Sequence, residues 1–336
     1  MDIILIPGLW LDAGSWDQVV PVLEAEGHRA LPLTLPGMES PAADRSVVSL
    51  RDHVAAVVTA IDACDEGPVM LVAHSAGGAL AHAAVDARPE RVARAMYVGG
   101  FPVASGEHIA DGFAVSGSDI PFPDWESFEA ADLRDLDEAA RADFRARAIP
   151  APARLATDRQ VLSDDRRHQV PVSLVCPEYT SEMLQGWVEA GYGSVSELAA
   201  IRHVEYVDLP TGHWPQFTRP VDLGRCIVER AYVSHVDEHG RIHPPVAAGE
   251  TLTALGFLDY QRATLAWKTA GLGEEGLRAT AADSTMTLGG LLKHMAWVED
   301  YWFSRTLHDR APSPPWDGVD WSADQDWEFT SSLADT

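Results

Sequence analysis

Short, nearly continuous runs of apolar residues alternate along the chain with longer stretches in which apolar positions recur every three or four residues, and this rhythm holds to about residue 235. Strands buried on both faces read as unbroken apolar runs and helices as stripes of period 3.6, so the alternation predicts a parallel sheet wrapped by helices. The strand-like runs are 3–6, 30–35, 69–73, 92–98, 170–176 and 204–209. Ser15-Trp16-Asp17-Gln18 reads as a capping box that starts a helix ending near Gly27, and Ser49 to Asp52 opens a second helix in a similar way. Residues 101–168 break the rhythm. They are rich in Asp, Glu, Ala and Pro, contain no convincing strand, and read as an inserted lid of short helices.

Beyond residue 235 the pattern changes. The segment 236–250, VDEHGRIHPPVAAGE, has the composition of a linker, so residues 1–235 form one expected domain and 251–336 another. Two helices are expected over 251–270 and 285–307. The first carries Leu255, Leu258 and Leu265, and the second carries Leu288, Leu291, Met295, Val298 and Trp302 at alternating steps of three and four. Two helices alone cannot bury both stripes, so docking or pairing with a second chain is expected, and a homodimer through these helices is the favoured outcome. The stretch 310–336 holds six acids and Trp316, Trp321 and Trp327 without any period, and is expected to wrap as a loop or stay mobile.

Length and charge narrow the picture. A chain of 336 residues exceeds the roughly 250 that one core usually reaches, which agrees with two unequal domains. The 51 acids outnumber the 25 bases, and a formal charge of −26 repels phosphate backbones and anionic lipid, which argues against nucleic acid or a membrane surface as partner. Cys64, Cys176 and Cys226 are widely spaced and form no CxxC pair, so neither a disulfide framework nor a zinc site is expected. No apolar run reaches 18 residues, and the chain opens on an apolar run without a basic leader; together with the cysteines this leads to a cytoplasmic expectation.

The strongest chemical signal is VMLVAHSAGG at 69–78, an apolar strand running straight into Ala-His-Ser-Ala-Gly and then a helix. A sharp strand-to-helix turn forces strained angles on its central residue, so its neighbours must be small, and the turn lifts the side chain clear of the sheet. Ser75 has that place and is the candidate nucleophile. Small residues around a serine also cap ordinary helices, but the buried strand before it favours the elbow. A nucleophilic serine needs a base, and His213 follows Gly212 just beyond the last predicted strand, in VEYVDLPTGHW. Among the other histidines, His53 and His82 lie in predicted helices, and His28, His235, His239 and His243 lie at helix ends or in the linker. His74 adjoins Ser75 but points away from an elbow. Two backbone N–H groups are required for the oxyanion; the residue after the nucleophile, Ala76, and the loop after the first strand, at Leu9, would supply them. Trp10 in that loop either lines the pocket or packs beneath it. For the acid that orients the base, the usual slot after the strand 170–176 falls near Thr180, which carries no charge. Glu178 and Glu182 flank it, and Glu107 is a more distant alternative after Gly99 and Gly100. Glu178, nearest the strand end, is the choice.

These segments carry a resemblance. PGLWLDAGSW, AHSAGG and DLPTGHWPQFTRP, in that order, resemble the α/β-hydrolase superfamily, in its group of esterases with an inserted lid, over about residues 1–235. The resemblance implies an α/β-hydrolase fold and a serine-type hydrolase of carboxylic esters or lactones, acting through an acyl-enzyme on Ser75 without a cofactor. With the lid, Trp10, Trp125 and Trp214 would give an apolar or aromatic substrate pocket. The same scaffold also serves hydroxynitrile lyases and non-catalytic binding proteins, so a lyase and an assembly protein dimerising through its C-terminal helices stand as alternatives. GFLDYQRATLAWKTAGL followed by TLGGLLKHMAWVEDYWF resembles the DinB-like four-helix bundles related to mycothiol-dependent enzymes, over 246–336. That family implies a divalent metal held by one histidine on the second helix and a His-x-x-x-His pair on the fourth. His294 matches the first, the pair is missing, and His308 lies too far along the same helix to join it, so no metal is expected.

Overall fold

The computed structural model describes residues 1–65, 67–110, 112–231, 250–280 and 286–334, with 237, 239, 241, 243 and 244 between them. The chain folds as two compact units, Met1–Val233 and Ser234–Thr336.

The first unit is built on β1 (Asp2–Ile6), β2 (Arg29–Pro32), β3 (Val69–His74), β4 (Val92–Val98), β7 (Val172–Cys176) and β8 (Val204–Asp208), with the short pair β5 (Asp119–Ile120) and β6 (Ala151–Pro152) inserted between β4 and β7. Among the described residues the six long strands form one sheet in the order β2-β1-β3-β4-β7-β8. Every pairing in it is parallel. Its helices are α1 (Val20–Ala25), α2 (Leu50–Asp62), α3 (Gly77–Ala87), α4 (Glu138–Arg147), α5 (Arg154–Thr157), α6 (Ser181–Glu189), α7 (Ser196–Ala200), α8 (Pro215–Thr218) and α9 (Pro220–Ala231).

The period of two along each strand divides the core. Ile4, Ile6, Leu71 and Ala73 face one side with Val57 and Ile61 of α2, whereas Ile3, Leu5, Met70 and Val72 face the other with Leu23 of α1 and Ile227 of α9. Every residue of β3 is buried because helices cover both faces of a central strand, while β8 at the edge is half exposed. The chain places β2 on one side of β1 and all later strands on the other. The strand order therefore reverses beside β3, and the carboxyl ends of the strands there form the crevice in which such sheets hold ligands.

Local details depart from the sequence expectations in two places. Ser15 does not cap a long helix: Asp12 accepts from the Gly14 N–H and starts a 3-10 turn over Ala13–Trp16, and α1 begins only at Val20. An aspartate two residues before a free N–H makes the tighter turn itself, which takes the cap away from the serine. The lid contains an antiparallel strand pair besides its helices. By contrast Ser49 and Asp52 form the reciprocal capping box at the start of α2.

In the second unit α10 (Glu250–Thr269) and α12 (Leu288–Glu299) are the long helices, accompanied by α11 (Glu274–Arg278) and α13 (Trp327–Ser331); a π-helical winding over Asp300–Leu307 continues α12. Leu258 and Leu265 with Leu291 and Met295 line an apolar groove of about 400 Å³, while Leu255 and Trp302 are exposed. The expected linker lies largely outside the described residues, but its described part is not a plain spacer. Arg241 pairs with Asp237 at 2.7 Å and lies over the rings of Tyr260 and Trp267. The acidic tail also differs from the expected loop. Trp316 is buried, and α13 packs on α12, because its tryptophans supply the apolar surface that its acids do not.

Candidate active site

β3 runs directly into α3, and Ser75 between them has φ of 53°, a left-handed conformation costly for any residue with a Cβ. Packing sustains it. The Ser75 N–H donates to the Val98 carbonyl and its own carbonyl accepts from the Gly78 N–H, each at 2.9 Å. The first residues after β8 bring the other partner. His213 Nε2 lies 2.9 Å from Ser75 Oγ, and His213 Nδ1 lies 2.9 Å from Glu178 Oε1. Glu178 and His213 side chains are 14% and 17% exposed, so the pair is shielded yet reachable. A carboxylate accepts only, which places the proton of the neutral imidazole on Nδ1 and leaves Nε2 free to take one from the serine.

The backbone of His213 is held as firmly as its ring. Its N–H donates to the Asp132 carbonyl at 2.8 Å, and its carbonyl accepts from His74 Nε2 at 2.7 Å. All four polar groups of the residue are therefore engaged. Gly212 makes the first of these contacts possible, because a Cβ there would stand 2.4 Å from the Asp132 carbonyl oxygen. Gly99 has a similar reason to be glycine: its φ is +58°, and a Cβ would meet His213 Nδ1 at 3.3 Å and Glu178 Oε2 at 3.4 Å. That is why the alternative acid slot after β4 is empty of side chains. Thr180 is the N-cap of α6, accepting from the Met183 N–H, and Glu182 lies exposed in the first turn of that helix. Glu107 lines the cavity in front of Ser75 instead.

Leu9 and Ala76 line the same cavity of about 630 Å³. Among the described residues neither backbone N–H is taken by an acceptor. The arrangement has a hydroxyl against an imidazole, a carboxylate behind the imidazole, and two open N–H groups on residues that line the same cavity as the hydroxyl, which is the equipment for acyl transfer.

A family model described as "Alpha/beta hydrolase family" matches residues 3–224. The chain belongs to that family. A second model, "Mycothiol-S-transferase", matches residues 253–335, and the C-terminal unit is a DinB-like helical domain. A probable esterase of Oryza sativa subsp. indica is 32% identical over 108 residues, which cover 32% of this chain and 41% of the rice protein's length. A pyrethroid hydrolase of Sphingobium wenxiniae is 28% identical over 258 residues, covering 68% of this chain and 87% of that protein. Of solved structures, an extracellular α/β-hydrolase from a Paenibacillus species superposes with a TM-score of 0.57 at 21% identity over 69% of this chain and 98% of that one. A pyrethroid hydrolase structure gives 0.51 at 20% identity, covering 69% and 97%. These structures share the fold.

Within this α/β-hydrolase the three tryptophans expected in the pocket lie elsewhere. None lines the cavity that holds Ser75. Trp10 is buried beneath the lid, its indole N–H donating to the Ile120 carbonyl at 3.1 Å and its ring set edge-on against Phe113 and Phe122. Trp125 and Trp214 pack with Phe128 and Phe144 in a separate apolar cluster under the lid. The physical reason is size. Rings of this area stabilise most when buried on all sides, and the lid core offers that. The cavity is lined instead by Phe101, Val103, Ile109 and Phe113, with Glu107 and His108 among its polar groups. Irregular lid segments without period carry them, so no pattern marks them in the sequence.

In the DinB-like unit His294 Nδ1 bonds Glu328 Oε1 at 2.8 Å, and its ring stacks on Phe329. Among the described residues no third His, Cys, Asp or Glu donor joins this pair, so the residues do not fit the family's metal.

Proposed function

We propose that the chain is a serine-type hydrolase of carboxylic esters, lactones included. The reading is carried by the continuous line Ser75 Oγ, His213 and Glu178, with 2.9 Å at each link. Ser75 Oγ attacks the carbonyl carbon while His213 Nε2 takes its proton, and the Leu9 and Ala76 N–H groups receive the oxyanion. Collapse expels the alcohol, which recovers the proton from His213 and leaves the acyl group on Ser75. Water then repeats the sequence, giving its proton to His213 and releasing the acid. Glu178 keeps the imidazole in the required tautomer and supports its positive charge. The apolar lining by Phe101, Ile109 and Phe113 favours esters with a bulky apolar part, as the name of the pyrethroid hydrolase relative also does.

The test is hydrolysis of a panel of nitrophenyl esters by the wild type and by Ser75→Ala. Loss of about a thousandfold or more in the variant supports the reading. Equal rates would favour an assembly protein. Release of an aldehyde or ketone together with cyanide from a hydroxynitrile, with the esters left intact, would favour the lyase.

Two further parts of the reading concern the whole protein. Its three cysteines are unpaired and buried, which favours a reducing, cytoplasmic setting, and no described helix is long and apolar enough to cross a membrane. The groove between α10 and α12 favours self-association through the C-terminal unit, because a partial bundle leaves such a face uncovered.

A further inference from the structure

The lid contributes a charged group to the site that the serine mechanism above does not use. Asp132 lies between β5 and α4, and its carboxylate, the Glu178 carboxylate and the His213 ring each place an oxygen or nitrogen within 4.8 Å of the other two. Two negative groups thus face one imidazole. The contact is anchored by the bond from the His213 N–H to the Asp132 carbonyl and by the Glu129 N–H, which donates to Asp132 Oδ2 at 2.9 Å. Gly212 lets this lid segment approach, since a Cβ there would collide with the carbonyls of both Asp132 and Arg134.

We propose that Asp132 is a second supporting carboxylate for His213, a positioning residue delivered by the lid, which stabilises the imidazolium alongside Glu178 and partly replaces it when Glu178 is lost. The proposal rests on the Ser75 and His213 reading given above. Its physical basis is that an imidazolium a few ångströms from two carboxylates in a shielded site is stabilised by both, whereas only one can receive the Nδ1–H at a time. Glu178 Oε2 has no hydrogen-bond partner, so Glu178 itself is not tied down on its second oxygen and the two acids can share the role. The groups that face this cluster are Glu178 from the loop after β7, Glu129 and Asp132 from the lid, Ser75 from the elbow and His74 from the end of β3, which burial keeps neutral. Burial also raises the Asp132 carboxyl above its ordinary value, with the Glu178 charge adding to the rise, so acidification removes the support from Asp132 at a higher pH than for an ordinary aspartate.

The test is a double-mutant cycle on the full chain with Asp132→Asn, Glu178→Gln and both, which keeps the main-chain carbonyl of residue 132 in place. Asp132→Asn in the wild-type background is expected to lower kcat about threefold to tenfold at unchanged KM. In the Glu178→Gln background the same change is expected to cost about a hundredfold, because the remaining carboxylate has then been removed. The acidic limb of kcat/KM should move to lower pH in Asp132→Asn, since removing a nearby negative charge lowers the imidazole pKa, and Asp132→Glu should restore it. Equal costs in both backgrounds with an unmoved limb would reduce Asp132 to a structural contact and overturn the proposal. Ser75→Ala serves as the control. If it too remained active, the serine reading itself would fail, whereas an inactive Ser75→Ala beside a neutral Asp132→Asn cycle would reject only the role of Asp132.

Discussion

The side chain of His74 holds the backbone of His213: its Nε2 donates to the His213 carbonyl oxygen across 2.7 Å, from the strand that ends at the nucleophile elbow to the turn that carries the candidate base. A carbonyl only accepts, so the His74 proton sits on Nε2, and its buried Nδ1 has no partner. Burial presses the pKa of this ring well below the ordinary 6.5, which keeps it neutral. The residue beside Ser75 thereby fixes the distance between Ser75 and His213.

His74→Phe should therefore lower kcat by about tenfold to a hundredfold while changing KM little, because it leaves the His213 carbonyl without a donor and frees its position by a fraction of an ångström. Steady-state kinetics check this. A variant with wild-type kcat would show that the turn holds His213 without help.

The buried histidines also set a pH dependence of stability. His53, His74 and His82 are each 1% exposed, and in each burial lowers the pKa from 6.5. As pH falls through 6.5 the unfolded chain binds protons that the folded chain refuses, so stability is complete above about pH 7.5 and falls as the solution is acidified. Each histidine contributes at most about 1.4 kcal/mol per pH unit in that window. Thermal unfolding followed from pH 7.5 to 5 should show a falling Tm, with a shallower fall in His53→Gln. A flat profile would mean that these rings protonate in place.

What brings Ser75 and His213 together is legible in the chain because it depends on local, periodic features: an apolar run that must be a central strand, small residues on either side of a serine, and a glycine before a histidine just past the last strand. The carboxylate is legible only as a choice, since Glu178 is separated from Glu182 by the capping role of Thr180, which no charge pattern reveals. The cavity lining is not legible at all. Tryptophans near catalytic motifs suggest a pocket, but Trp10 and Trp214 are buried and Trp125 half-buried in or under the lid, whereas Phe101, Ile109 and Phe113 come from segments with no period. Asp132 escapes for the same reason. It is one acid among many in an acidic lid, and only tertiary contact with Gly212 and His213 distinguishes it. In the C-terminal unit Glu328 was hidden in a stretch without helical period, yet it is buried against His294.

For the acid, Glu178→Gln preserves shape but cannot balance an imidazolium, and it should lower kcat by about a hundredfold or more. Glu182→Gln, exposed on α6, should leave the rate within about twofold. Glu107→Gln acts at the cavity wall and should change KM among esters more than kcat. Comparing the three on one ester separates these effects, and a Glu182 variant slower than the Glu178 variant would reassign the acid.

The last prediction concerns the C-terminal unit. Leu258, Leu265, Leu291 and Met295 line an open groove, and Leu255, Tyr301, Trp302 and Leu307 are exposed on the same helical elements. Apolar surface of this extent on a helix pair is costly in water, and two-fold pairing of two such units would supply the four helices of a bundle. Full-length protein is therefore expected to be a dimer by light scattering, and Leu291→Glu with Met295→Glu should shift it to monomer. Because Ser75, His213 and Glu178 all lie within Met1–Val233, a chain ended at residue 250 should be monomeric and keep its esterase rate per site. A monomeric full-length chain would reject pairing through the groove. A truncated chain that stayed dimeric would reject it as well, and an inactive truncated chain would show that the C-terminal unit contributes to the site.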